Sequence, residues 1–213
     1  MIISYTICDE PEYVSGYGQS YLANLAWNRD LVSRISDSRV RVGARITDEV
    51  VDILEKLGHV HLDQVCVEQD VVRMDQLMVK LHLYHWLYDC VASLDSIAVL
   101  LNLKYEMTNV RTDIGMKRKF IRELTERDSI VGDLLSSEYK WMDELKKMRN
   151  AIAHGEGRLV VGGGDSPCFV LDINRNFVKG LPLHRVMIPN MNKEYCDKLD
   201  VFVEKILRVV DSW

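Results

Sequence analysis

From Gln69 to Leu103 the chain runs without a proline or a glycine. Apolar side chains recur along it at Met74, Leu77, Met78, Leu81, Tyr84, Tyr88, Val91 and Ala98. Steps of three and four residues place such a set on one face of an α-helix. A single helix over this stretch has about 35 residues and a length of roughly 50 Å; a kink would divide it in two. The expected fold class is therefore mainly α, a helical bundle with one long central helix.

The rest of the sequence fits around that rod. Met1–Ile7 reads as a strand, and Gly18–Ser36 has helix-compatible apolar positions at Leu22, Leu25, Val32 and Ile35. Arg39, Arg41 and Arg45 alternate with Val40, Val42 and Ile46, which suits a short strand with one charged face or an extended linker. Thr47 is an N-cap for a helix to Leu57, closed by Gly58. Lys117-Arg118-Lys119 and Arg122 open a helix over Met116–Arg127, with Phe120, Ile121 and Leu124 apolar. Ser136-Ser137-Glu138 supplies capping chemistry for the next helix. Trp141, Leu145, Met148 and Ile152 make its buried stripe, and Gly155 and Gly157 stop it.

Beyond it the periodicity changes. Arg158–Val161, Cys168–Ile173 and Val186–Ile188 are short β-type runs, expected as a small antiparallel hairpin or three-stranded flap. Gly162-Gly163-Gly164-Asp165-Ser166-Pro167 between two of them reads as a turn, since it lacks the order of a phosphate loop. Asn192 is the expected cap of a last amphipathic helix with Tyr195, Leu199, Phe202 and Ile206 inward. The expected organisation is an N-terminal extension packed on the bundle (1–60), a helical core (61–157), a β addition (158–190) and a C-terminal helix completing the bundle (191–213).

Composition limits the function classes. The 5 cysteines form no CxxC pair and are odd in number. That favours reduced thiols and a cytoplasmic setting over a disulfide framework or zinc site. No apolar run approaches the roughly 20 residues of a membrane span, and the first residues lack a signal pattern, so no membrane partner is expected. A net charge of −5 counts against a broad nucleic-acid-coating surface but leaves room for a local basic cleft.

One short motif carries chemistry: Arg149-Asn150-Ala151-Ile152-Ala153-His154, followed by Gly155. Arginine grips phosphate oxygens with a planar, permanent charge. Histidine ionises near neutrality, so it can move the proton of a ribose hydroxyl or a leaving oxygen. Asparagine orients either one without adding charge. Asn150 and His154 are four apart and share a face, while Arg149 and His154 lie roughly 140° apart around the helix. Such a pair meets on one ligand if the arginine bends across, or if a second helix supplies the missing half. Lys146 and Lys147, one turn earlier, would add salt-dependent affinity for phosphate.

This motif, late on a helix of a small helical region from about residue 68 to 156, resembles the HEPN superfamily (higher eukaryotes and prokaryotes nucleotide-binding). The resemblance implies a helical bundle, commonly dimeric, whose members include metal-independent ribonucleases of toxin–antitoxin and antiviral defence systems. It implies RNA as substrate, a symmetric homodimer, an antitoxin or defence protein as partner, and no cofactor or metal. It assigns catalysis to Arg149, Asn150 and His154; Lys146 and Lys147, from their place just before the motif, and Arg158, from its place just after it, are the expected substrate contacts. Some members only bind or scaffold, so a catalytically silent binding or dimerisation module is the alternative.

Three further readings follow from spacing. Asp95, four after Val91 and three before Ala98, falls on the apolar face of the long helix and needs a partner there. Arg149 or His154 would serve, and a capping role at a kink near Ser93–Ser96 is the other possibility. His82, His85 and Asp89 fall on one side of the same helix, as a helical metalloprotein would need, but no partner motif supplies the other ligands. The β segment must emerge beside the motif, either as a lid with Arg158 and His184 or Arg185 near the site, or as a cap on the bundle's apolar end.

Overall fold

The structure is a computed structural model that describes residues 42–107, 115–155, 157–162, 168–173 and 185–211. The strand expected at 1–7, the helix at 18–36 and the arginines at 39 and 41 lie outside the described residues. Within them the chain forms five helices and a three-stranded sheet, so the fold is mainly α as expected.

α1 (Val42–Arg73) and α2 (Gln76–Lys104) form an antiparallel hairpin. Ile46, Val50, Ile53, Leu57, Val60, Gln64, Val67 and Val71 repeat at alternating steps of four and three along α1, and all are buried or half-buried. This seam corrects two expectations. Position 47 lies inside the helix rather than at its start, and Gly58 does not end it. A helical glycine costs about 1 kcal/mol relative to alanine, and a seam running eight positions outweighs it. Arg45 therefore stands in a helix, not in a strand, and no break falls at residue 60.

The break comes instead at Met74, which takes φ +55°. Asp75 then caps α2, its carboxylate accepting the Met78 amide at 3.1 Å. The long helix is thus shorter than expected and begins at Gln76. Its buried face also differs. Val79, Leu83 and Trp86 are buried, whereas Leu77, Leu81 and Tyr88 of the expected stripe are exposed. From Leu87 onward two interleaved rows are buried, Cys90, Ser93, Ile97 and Leu100 beside Val91, Leu94, Ala98 and Leu101. This half of α2 is the centre of the bundle. By length and composition α2 could cross a bilayer, but 67% of its most apolar window is buried inside the fold, which accounts for that composition.

α3 (Arg118–Thr125) and α4 (Ser129–Ala153) follow. Asp128 caps α4 by accepting the Val131 amide, and the Tyr105 hydroxyl holds its other oxygen at 2.6 Å. The start at Ser136 is thereby corrected. Ser136 and Ser137 lie inside α4 and donate back to the carbonyls of Gly132 and Leu134, as mid-helix serines do. α3 and α4 touch at Gly132, where a Cβ would stand 2.5 Å from Thr125 Cα.

β1 (Gly157–Gly162), β2 (Cys168–Ile173) and β3 (Arg185–Met187) form an antiparallel sheet in the order β1-β2-β3. α5 (Ile188–Asp211) begins directly after β3, so Ile188, expected to end a β run, and the positions to 190 belong to the last helix rather than to the β addition. Asn192 lies fully buried inside it rather than capping it. Tyr195, Leu199, Phe202 and Ile206 face inward as expected. α5 fastens the other helices: His61 to Asp200 at 2.8 Å, Glu144 to the Tyr195 hydroxyl at 3.0 Å, and the Trp86 indole to Cys196 Sγ at 3.2 Å.

Candidate functional site

The buried stripe of α4 is the expected one: Trp141, Leu145, Met148 and Ile152 all enter the core. Trp141 meets Phe202 edge to face, with ring centroids 5.9 Å apart. That anchoring fixes which side of α4 carries the motif. Asn150 and His154 are exposed, and Arg149 is half-buried at the edge of the helix contact.

Arg149 lies against α2. Its guanidinium carbon sits 5.6 Å from the ring centroid of Tyr88, a cation–π contact. Its Nε is buried and has no hydrogen-bond partner among the described residues. A buried donor left unmade costs about 1–3 kcal/mol. Tyr88 was not singled out as a site residue in the sequence. Its signal was position: seven residues before Asp95, it shares the side of α2 that reaches α4.

His154 is the residue at which α4 ends, its amide bonded to the Asn150 carbonyl at 3.0 Å. Gly155 takes φ +74° just after it, the left-handed turn that closes helices. Gly157 then presses onto the last turn, where an added Cβ would stand 2.9 Å from Ile152 Cγ1. The sheet therefore starts beside the motif, as the two glycines imply. Arg158 is exposed on β1, in register with Asp172 of β2, which is in register with Arg185 of β3. His184 lies outside the described residues.

The two lysines are engaged. Lys146 donates to Asp95 at 3.3 Å and to the Met116 carbonyl at 3.0 Å. Burial pushes its pKa down, partly offset by Asp95. Lys147 pairs with Asp143 at 2.8 Å. Asp95 thus answers Lys146, not Arg149 or His154. Its side chain is 43% exposed rather than buried, and it also accepts the Met116 amide at 3.4 Å. Its place is a clasp joining α2, α4 and the segment that enters α3.

Three of the hairpin's four histidines have a carboxylate partner, His61 at Asp200 among them. His82 pairs with buried Asp70 at 2.7 Å, and His59 lies 4.0 Å from Asp89. Among the described residues no group of three or more His, Cys, Asp or Glu is placed to hold a metal ion. His82, His85 and Asp89 therefore do not converge on a common point.

No family model, no curated protein and no solved structure matches this chain.

Proposed function

We propose that the chain is a metal-independent endoribonuclease of the HEPN type, acting as a symmetric homodimer. The observation that carries this reading is the end of α4. There an arginine whose buried Nε has no partner among the described residues stands beside an exposed asparagine and an exposed histidine, next to a glycine-closed terminus. Arg149 would hold the scissile phosphate and stabilise the charge that grows on it. His154 would take the proton as the ribose 2′-oxygen attacks phosphorus, or return one to the departing 5′-oxygen. Asn150 would position either group, and Arg158 would hold a flanking phosphate. A toxin–antitoxin or antiviral setting, an antitoxin or defence protein as regulator and a cytoplasmic location come with the same reading.

Two features support the dimer. Arg149 and His154 leave α4 in different directions, which a twofold axis remedies by facing one copy's histidine to the other's arginine. Leu77 (75% exposed), Leu81 and Tyr88 form an apolar row on α2 that leads to Arg149, the kind of face a second copy covers.

The test is incubation of the purified protein with total RNA in EDTA, beside Arg149→Ala, His154→Ala and Asn150→Ala. The parent should cleave, the first two variants should lose roughly 10² or more, and the third should be weakened. Equal cleavage by parent and the Arg149 and His154 variants would refute the assignment. RNA binding without cleavage by the parent would make the chain a silent binding module. Light scattering should give twice the 24.6 kDa monomer mass, and Leu81→Glu should shift it toward one.

A further inference from the structure

Away from the motif, α3 and the first half of α4 flank an open groove of about 520 Å³. Arg118, Ile121, Arg122 and Glu126 line one side, Ser136 and Tyr139 the other. The Arg118 guanidinium lies 5.3 Å from the Tyr139 ring centroid. Arg122 stands one turn further along α3. The lining sets two arginines against one carboxylate, in a chain whose net charge is −5. A planar cation on an aromatic ring is a surface on which a nucleobase stacks, and a second arginine beside it suits the attached phosphate. An acidic peptide would use the charges but not the stacked plane.

The groove is aligned with the motif. Tyr139, Asp143, Lys147, Asn150 and His154 follow one another along α4 at steps of four, four, three and four, so they share one face. From Tyr139 to Asn150 the helix completes three turns and overshoots by only about 20°, rising roughly 16 Å. Asp143, the acid on this path, is neutralised by Lys147 at 2.8 Å. A single strand laid along the face could reach from motif to groove with up to about five stacked nucleotides at roughly 3.4 Å each, fewer if extended.

We propose that the Arg118–Tyr139 groove is a second nucleotide subsite, which stacks a base of single-stranded RNA several nucleotides away from the phosphate held at the motif. The proposal rests on the ribonuclease reading for its substrate class. The subsite makes recognition depend on strand length and on an unpaired base. It also favours single strands over duplex, whose bases are already stacked on each other.

The test measures binding, not cleavage. Fluorescein-labelled oligouridylates of two and seven nucleotides, methylated at every 2′-oxygen so that they cannot be cut, are titrated into the unaltered protein and followed by anisotropy. The heptamer should bind at least about tenfold tighter than the dimer. Arg118→Ala and Tyr139→Leu should each erase most of that gain. Arg118→Lys, which keeps the charge but not the plane, should restore only part of it. Because Arg118 is exposed, its variants report on the groove without disturbing the core. Equal affinity for both lengths, or a heptamer affinity unchanged in the variants, overturns the subsite. Competition by heptaglutamate as effective as by RNA overturns it in favour of a peptide groove. Absence of cleavage of natural RNA, with length- and Arg118-dependent binding intact, defeats the ribonuclease reading and leaves the subsite standing.

Discussion

The flank of the α1–α2 hairpin and the end of α4 both concentrate ionisable side chains, and they settle them in opposite ways. Along the hairpin flank most ionisable groups answer one another, while the buried amide oxygen of Asn102 near its end has no partner among the described residues. Lys56 bonds Asp52 and Ser96, His82 bonds Asp70, and His61 reaches across to Asp200. At the end of α4, Arg149 keeps a buried Nε with no partner among the described residues, while Asn150 and His154 face solvent. Folding selects strongly against unanswered buried donors. Under the proposed function, Arg149 is held there for a phosphate. Histidine count alone would have pointed to the hairpin; of the residues with buried side-chain atoms lacking a partner among the described residues, Asn102, Asn192 and Arg149, Arg149 is the one that carries a charge.

The sharpest way to break that contrast is to exchange losses of function and of stability between the two regions. His154→Ala should cut RNA cleavage by roughly 10² or more, while urea unfolding shifts by no more than about 0.5 kcal/mol, as expected of an exposed side chain. His82→Ala should do the reverse. It strips the ring from Asp70, whose carboxylate is 9% exposed, and should cost about 1–3 kcal/mol in urea, leaving cleavage per folded molecule near the parent's. If His82→Ala abolishes cleavage without loss of stability, the hairpin holds the chemistry and the contrast is reversed.

A smaller effect tests the join between helix and sheet. Gly155→Ala places a Cβ on a backbone held at φ +74°, although the space around it is open. The strain alone should cost about 1 kcal/mol. Because the same turn aims His154, cleavage should fall more than stability does. Equal, minor changes in both would make the turn a connector with no part in positioning the histidine.

The sequence made some of this legible and hid the rest for physical reasons. The α4 stripe was readable because Trp141, Leu145, Met148 and Ile152 are large, apolar and regularly spaced. The first two β runs were readable because glycine and asparagine clusters separate them and end the second. Gly58 misled, since a local stop signal is weaker than a seam shared with a neighbouring helix, and that neighbour is not visible locally. Leu77 and Leu81 misled in the opposite sense: they are as apolar as Leu83, and only the packing partner decides which face is covered. Ser136 showed capping chemistry, but Asp128 lay one tyrosine hydroxyl ahead in the competition, through Tyr105. The motif's residue types were legible. What they lacked or had in the way of partners was not, and neither the Tyr88 contact of Arg149 nor the capture of Lys146 by Asp95 follows from spacing. Pairings between helices distant in sequence depend on the tertiary fold.

The smallest effect expected lies back on the hairpin, where the settlement of charge is incomplete. Asp63 has its pKa raised from 3.8, first by burial and then by Asp89, with His85, His82 and His59 pulling the other way. Asp89 is raised too, again mainly by burial. An acid raised in the fold ionises more readily in the unfolded chain. Its contribution to stability is therefore lost as pH climbs from the unfolded value through the raised folded one, and stays lost above it. Asp63→Asn removes that loss. It should leave stability unchanged at pH 3, where both forms are neutral, and raise it slightly at pH 7. The gain should stay below about 0.5 kcal/mol, because the site is half open to water. Urea titrations of parent and variant at the two pH values read the difference directly. A loss of stability at pH 7 would mean that the three histidines outweigh burial and Asp89, and that this flank is as fully compensated as the Asp70–His82 pair beside it.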